Sequence, residues 1–386
     1  MMLLQGNRRA MYIFLLVLTV TSTATFQGWR TLLNNFAVEV GGLSGFDMGV
    51  VQSVREIPGF LSLLAVYLLL IVREHRLAAL SILVLGCGVC SVGLFPSVYG
   101  VALTTLIMSF GFHYYETMNQ SLTLQYFDHI QSPIVLARMR SVMGATNVAI
   151  GVALFFAIRF FEYKTLFALL GAVAVGGGLW AFFQDPSKKD VPPQKKKMVL
   201  YRKYWLYYAL TFLAGARRQV FVAFAVFLLV ERFGYSVEAV TMLFVFNNVV
   251  NYFVSPLVGR ALNRYGERRM FTLEYGCLII IFMIYAYTQD PYIAGLLYIV
   301  DNIFYNFGIG IRTFYQKIAD PADIASGMAV GFTINHIAAV VVPFLGGVAW
   351  VANYRVVFYG AAVLSLLSLL LSQLVHTRPG KTVVRD

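Results

Sequence analysis

Two adjacent arginines, Arg217 and Arg218, stand at the centre of a long apolar run, 204–232. A guanidinium grips a carboxylate or phosphate through two parallel hydrogen bonds, so such a pair in apolar surroundings suits an anionic ligand. The same residues can instead close an internal salt bridge that joins helices. Neighbours on a helix point about 100° apart, so only one of the two can face a central cavity squarely. A second group, His113, Glu116 and Gln120, recurs at i, i+3, i+7 within 98–124, on one helix face, with Asn119 beside it. An imidazole and a carboxylate so placed can exchange a proton, or can form a buried polar cluster that satisfies itself. A third stripe, Asp301, Tyr305, Gly308 and Arg312, lies in 291–316 with Asn302 and Asn306 alongside. Asp301 sits near its middle and joins Glu116 and His113 as a candidate proton carrier. Further polar residues in apolar runs are Thr25 and Gln27, Arg55 and Glu56, Asn247, Asn248 and Asn251, and Asn335 and His336. Neither a metal nor a cofactor is expected.

The elements that position these residues follow from composition. Of 386 residues, 59% are hydrophobic and 12% charged, whereas soluble domains carry about 25% charged residues. Apolar runs mark twelve crossings: 10–37, 46–71, 77–95, 98–124, 138–160 and 163–183, then 204–232, 236–258, 270–288, 291–316, 326–350 and 354–375. Each has about the length that a bilayer core requires. The fold expected is an all-α membrane protein of twelve transmembrane helices in two pseudo-symmetric six-helix bundles, 1–184 and 204–386. The stretch PSKKDVPPQKKK lies in 185–203 and reads as a flexible linker. Arg8 and Arg9 before MYIFLLVLTV imitate a signal peptide, but the apolar stretch runs on to Phe36 and reads as a retained first helix. Cys87 and Cys90 form a C-x-x-C inside GCGVCSVG; burial in hydrocarbon disfavours thiolates, so they read as packing residues.

Basic residues set the orientation. With both termini inside, 22 of the 30 Lys and Arg fall on inner segments and four (Arg159, Lys164, Arg232, Arg355) on outer ones. Arg138 and Arg140 are counted in an inner loop, and Arg30, Arg55, Arg217 and Arg218 lie within helices. The net charge of +12 is thus a positive-inside signal rather than a nucleic-acid stripe, and no nucleic-acid partner is expected. The halves also repeat. Residues 12–44 laid on 204–236 match at Tyr12/Tyr204, Leu18/Leu210, Thr19/Thr211, Ala24/Ala216, Gln27/Gln219, Val38/Val230, Glu39/Glu231, Gly42/Gly234 and Ser44/Ser236. Parallel repeats around a midplane site are a transporter architecture.

The loop Gly259-Arg260-Ala261-Leu262-Asn263-Arg264-Tyr265-Gly266-Glu267-Arg268-Arg269 resembles the G-x-L-a-D-R-x-G-r-r motif of the major facilitator superfamily. It departs at Asn263, where that family has Asp, and the first-half counterpart, Arg73-Glu74-His75-Arg76, lacks glycines. The resemblance implies that Gly259, Asn263, Arg264, Gly266 and Arg268 gate the cytoplasmic side, where the eighth and eleventh helices meet. It also implies that the first, fourth, seventh and tenth helices line the cavity. The function implied is secondary active transport by alternating access, proton-coupled and for an anionic substrate. Arg217, Arg218, Gln27, Thr25, Asn119, Asn302, Asn306 and Asn335 are then substrate-binding candidates, and Glu116, His113 and Asp301 carry the proton. An efflux carrier for amphipathic or cationic compounds, or a membrane sensor or scaffold, are the alternatives. No H-E-x-x-H occurs, and GKT at 380–382 lacks the upstream glycine of a phosphate-binding loop, so no enzyme is expected. The partners expected are a small-molecule substrate and membrane lipids, for a monomer in the plasma (cytoplasmic, bacterial inner) membrane. A reporter active only outside the cytoplasm should be silent when fused at Gln194 and active at Ser97; the reverse pattern would overturn the orientation.

Overall fold

Backbone groups inside hydrocarbon have no partner but each other, so apolar runs of this length fold as helices. The computed structural model describes residues 7–43, 45–187, 191–195, 197–198, 200–235 and 237–377. Among them are twelve long helices and no strand. They are α1 (Asn7–Glu39), α2 (45–68), α3 (Glu74–Val92), α4 (Val98–Tyr126), α5 (Gln131–Ala157) and α6 (Tyr163–Phe183). Then follow α7 (Arg202–Glu231), α8 (Val237–Tyr265), α9 (Glu267–Tyr287), α10 (Pro291–Ile318), α11 (Pro321–Ala352) and α12 (Tyr354–Ser372). Ten are long and apolar enough to cross a membrane. The exceptions are α2, which changes to a 3₁₀ turn at Leu61–Leu64 after Pro58, and α4, which carries the His113 face. The helix starts that differ most from expectation are those of α5, at Gln131, and α11, at Pro321, so Arg138 and Arg140 are helical rather than in a loop. Ser44, Ser236, most linker lysines (Lys188, Lys189, Lys196) and the 378–386 tail lie outside the described residues.

The chain divides into two compact units. The first comprises 1–126, 142–199 and 321–333; the second comprises 127–141, 200–320 and 334–386. Small residues let helices of the first unit approach closely, as in other membrane bundles. Thr25 Oγ1 donates to Leu170 O (3.0 Å), and Thr19 Oγ1 and Tyr115 Oη are 3.0 Å apart, tying α1 to α6 and α4. Cys90 packs its thiol against Ala168 O of α6. The linker is less free than its composition suggests. Lys195 Nζ meets the fully buried Asp323 at 2.8 Å, Gln194 Oε1 accepts from Ala325 N (2.9 Å), and Ser326 Oγ donates to Lys197 O (2.7 Å). The bond from Ala325 N satisfies one of the first-turn N–H groups of α11 that would otherwise lack a partner, and the other two hold the linker to the same turn.

In the second unit, α7 passes through a π-helical segment at Val220–Ala225, directly after the arginine pair, and α10 through a 3₁₀ turn at Asn306–Gly308. Such local departures concentrate at functional sites. In α8, Pro256 has no N–H to offer Tyr252 O four residues back, and Ser141 Oγ donates to that carbonyl instead (2.5 Å).

The repeat survives as geometry. At the end of α1, Leu43 N donates to Ala37 O (2.9 Å) and Gly42 has φ +61°. At the end of α7, Tyr235 N donates to Leu229 O (3.0 Å) and Gly234 has φ +65°. Both are left-handed helix ends of the kind glycine favours. Gly234→Ala should therefore lower the stability of the detergent-solubilised protein by about 1 kcal/mol. Gly176→Ala, where an added Cβ meets nothing within 4 Å, should not. Equal melting temperatures for the two variants would contradict the assignment.

Candidate functional site

The two central arginines of α7 diverge. Arg217 is buried: Nη2 lies 3.7 Å from Glu274 Oε1 on α9, Nη1 donates to Ser368 Oγ on α12, and the guanidinium sits 4.3 Å over the Tyr275 ring. Asp301 of α10 is buried too and acts electrostatically on the same group. Glu274 thus pairs with that guanidinium, and the Asp301 carboxylate lies within reach of its charge. Glu274 Oε2 and Asp301 Oδ2 have no hydrogen-bond partner, and an unpartnered carboxylate oxygen in an apolar interior is costly.

Arg218, one position on, is only half-buried and points elsewhere. It interacts with the phenol of Tyr305, a residue 37% exposed. Arg140 of α5 stacks on that ring with its guanidinium carbon 4.2 Å from the centroid, and Arg312 of α10 acts on the same phenol. Phe221, on the π-helical segment, stacks along the Tyr298 and Tyr305 rings (4.7 and 6.4 Å). Among the described residues Arg218 makes no ion pair.

Asn302 and Asn306 serve a ladder between α10 and α8. Their Nδ2 atoms donate to Asn251 Oδ1 at 3.1 and 2.7 Å, and Asn306 Oδ1 accepts from Ser255 Oγ at 2.6 Å. Asn335 Nδ2 lies 3.4 Å from Thr211 O, and its side chain would meet any Cβ placed on Gly215. These amides hold helices together at the close approaches where side chains have no room.

In the first unit, His113 Nδ1 is 2.9 Å from both Ser109 Oγ and Ser109 O, while half-buried Glu116 accepts from Gln120 Nε2 at 3.4 Å. Asn119 Oδ1 is buried without a partner. Gln27 Nε2 donates to Thr31 Oγ1 within α1 (3.3 Å), and Thr25 is occupied by α6. Arg55 pairs with its own neighbour Glu56 at 2.5 Å.

The last turns of α8 clasp the start of α5. Asn263 Nδ2 donates to Ile130 O (2.6 Å), and a Cβ on Gly259 would fall 2.6 Å from Pro133 O. Gly266 turns the chain into α9 at φ +78°, Arg264 lies over the Tyr265 ring, and Arg268 Nε reaches Gln373 (3.3 Å). The resemblance implies α11 as the partner of this loop; the contacts here run to the start of α5 and to the residues after α12. Sequence reasoning missed four residues. Glu267 is fully buried, with Lys317 at 2.7 Å, Thr313 at 3.0 Å and Thr377 at 2.6 Å. Glu274, Ser368 and Arg140 are the others. Glu274 was detectable as a carboxylate within the run 270–288, and Glu267 within the motif; the partners of Ser368 and Arg140 are not written in spacing.

The model of the Major Facilitator Superfamily matches residues 10–343. Among solved structures, the human organic anion transporter MFSD10 (TETRAN) is 12% identical, covering 96% of this chain and 100% of that one at a TM-score of 0.76. The Major Facilitator Superfamily transporter FucP in its outward conformation is 10% identical, covering 97% and 100% at 0.80. A variant of the E. coli fucose:proton symporter FucP is 11% identical, with 97% and 100% covered at 0.76. At such identities the likeness is one of fold. No match is found among curated proteins by sequence.

Asn263→Asp would install the acid of the motif, yet here the side chain donates to a carbonyl. A carboxylate cannot donate, so this variant should lose about 1–3 kcal/mol. Its melting temperature should fall below that of Asn263→Ser, whose hydroxyl remains a donor; an unchanged value would show the bond to be incidental.

Proposed function

The chain belongs to the major facilitator superfamily, and on that premise we propose that it is a secondary active transporter of a small anionic solute, coupled to protons. The observation that carries the anion reading is the divergence of the arginine pair. Arg217 is balanced inside the protein by Glu274 and Asp301. Arg218 is half-buried, with no ion pair among the described residues, beside the exposed edge of Tyr305. A membrane-embedded guanidinium needs a counter-charge, and a carboxylate or phosphate of the solute supplies one bidentately. The organic anion transporter among the similar structures lends support by analogy of fold.

The proton reading rests on charge count. One guanidinium balances one buried carboxylate, so with Glu274 paired to Arg217 and Asp301 buried within reach of the same charge, the second carboxylate carries a proton or an unbalanced charge. Asp301 with Glu274 is the favoured site, and His113 with Glu116 is a second one on α4. A cationic substrate would need Asp301 or Glu274 for itself, and Glu274 already pairs with Arg217. The termini and linker are placed in the cytoplasm by the distribution of Lys and Arg. The protein then works as a monomer in the plasma membrane, with substrate and lipid as its partners.

The test uses liposomes containing the purified protein, with anions first screened by thermal shift. Arg218→Gln should abolish uptake with little change in melting temperature. Arg218→Lys should retain transport at about tenfold weaker affinity, having charge without the fork. Arg217→Gln should instead cost about 3–5 kcal/mol of stability by leaving buried carboxylates unpaired. Normal uptake by Arg218→Gln would overturn the anion reading. Asp301→Asn should stop accumulation driven by a pH gradient yet spare exchange between equal substrate pools; accumulation at the normal level would remove Asp301 from the coupling.

A further inference from the structure

Where α1 ends and the chain turns from α5 into α6, a cleft of about 530 Å³ opens on the first unit. Its walls carry two kinds of side chain. Phe36, Ile158, Phe160 and Phe161 are apolar, and the last two are 79% and 47% exposed. Arg159, Glu162 and Lys164 are charged and exposed. The back of the cleft is closely packed, for a Cβ on Gly93 would fall 2.6 Å from Lys164 Cα. Tyr163 is held there as well: its ring lies 5.9 Å from that of Phe36, and its Oη donates to Glu39 Oε2 (2.8 Å). Asn35 Nδ2 donates to the other oxygen of Glu39 (3.0 Å).

Arg159, Glu162 and Lys164 form no ion pair among the described residues. Two cations against one acid leave the cleft with a single surplus positive charge. The Arg159 guanidinium carbon lies 5.0 Å from the centroid of the Phe155 ring. That contact occupies one face of the guanidinium and leaves its in-plane N–H groups to donate. Helix ends lie where a bilayer passes from hydrocarbon to head groups, and exposed phenylalanines at that depth suit an acyl chain better than water. Arg159 and Lys164 are also two of the four basic residues on a side otherwise poor in them. We propose that this cleft seats the phosphodiester head of an anionic phospholipid, drawn from the outer leaflet on the orientation given above. Arg159 and Lys164 hold the phosphate, whose one negative charge matches the surplus, and Phe160 and Phe161 carry the first part of an acyl chain.

The test uses the full-length protein in an uncharged detergent, with binding followed by thermal shift and native mass spectrometry at matched ionic strength. Dioleoylphosphatidylglycerol should bind at least about fivefold more tightly than dioleoylphosphatidylcholine, whose choline cancels the phosphate charge, since one basic residue near an anionic lipid contributes about that factor. Glycerophosphoglycerol, the same head group without chains, should not bind at the same concentration. Arg159→Gln and Lys164→Gln should each bring the ratio of the two lipids toward one, and Arg159→Lys should keep part of it. Arg355→Gln removes an outer cation that does not line the cleft and should leave the ratio as it is. Equal binding of the two lipids by the unaltered protein would overturn the proposal. Binding of the chainless head group as tightly as the lipid would assign the cleft to a soluble anion and overturn it too. A ratio unchanged in both glutamine variants, or lowered as far by Arg355→Gln, would also overturn it, since the preference would then arise from surface charge elsewhere.

Discussion

A guanidinium keeps its charge at any pH a cell offers, and hydrocarbon cannot solvate it. Burying Arg217 therefore dictates its surroundings: a carboxylate from α9, another from α10, a hydroxyl from α12 and an aromatic face from Tyr275. Those four neighbours come from three helices, and α7 is fixed in rotation by meeting them all. The rotation of about 100° per residue then turns Arg218 away from that pocket and toward Tyr305. The balanced arginine thus aims the one beside it.

Irregular backbone follows the same economy of partners. A proline in α8, a π-helical segment in α7 and 3₁₀ turns in α2 and α10 all disturb the regular hydrogen-bond ladder. Serine and threonine hydroxyls restore what is lost. Ser141 meets Tyr252 O, and Thr333 Oγ1 both accepts from Leu63 N (3.0 Å) and donates to Phe60 O (3.1 Å). Departures from regular helix survive in an apolar medium only where a side chain stands ready to answer them. The π-helical segment after Arg218 and the 3₁₀ turn after Tyr305 place that pliability beside the cationic cluster.

The twelve helices and their approximate ends were legible because hydropathy acts on whole segments, and a segment averages over its exceptions. The repeat was legible too: Gly42 and Gly234 match in sequence because the same left-handed turn demands glycine twice. What sequence did not show was partnership. Asp301, Glu116 and His113 stood out as ionisable groups in apolar runs, yet nothing in their spacing names Glu274 as the acid that meets Arg217. Likewise Asn302 and Asn306 are as suited to a substrate as to each other, and the structure has them bonded to Asn251. Arg140 was misjudged for a plainer reason. The apolar run begins after it, whereas the helix begins at Gln131, because helix formation tolerates polar residues that hydropathy does not count.

The buried ion cluster also bears on how the protein is made. A charged residue at a helix centre opposes insertion by about 2.5–3.5 kcal/mol, and α7 carries two of them before either acidic partner has been synthesised. Glu274 and Asp301 arrive only with α9 and α10, each bringing the opposite penalty. Left alone in lipid, α7 would be drawn back toward water. It becomes comfortable only when the later helices enter beside it, so the newborn chain must hold α7 in a sheltered, half-committed position until they come. Biogenesis of the second half is in this way a cooperative event, whose order is set by where along the chain the opposite charges were written.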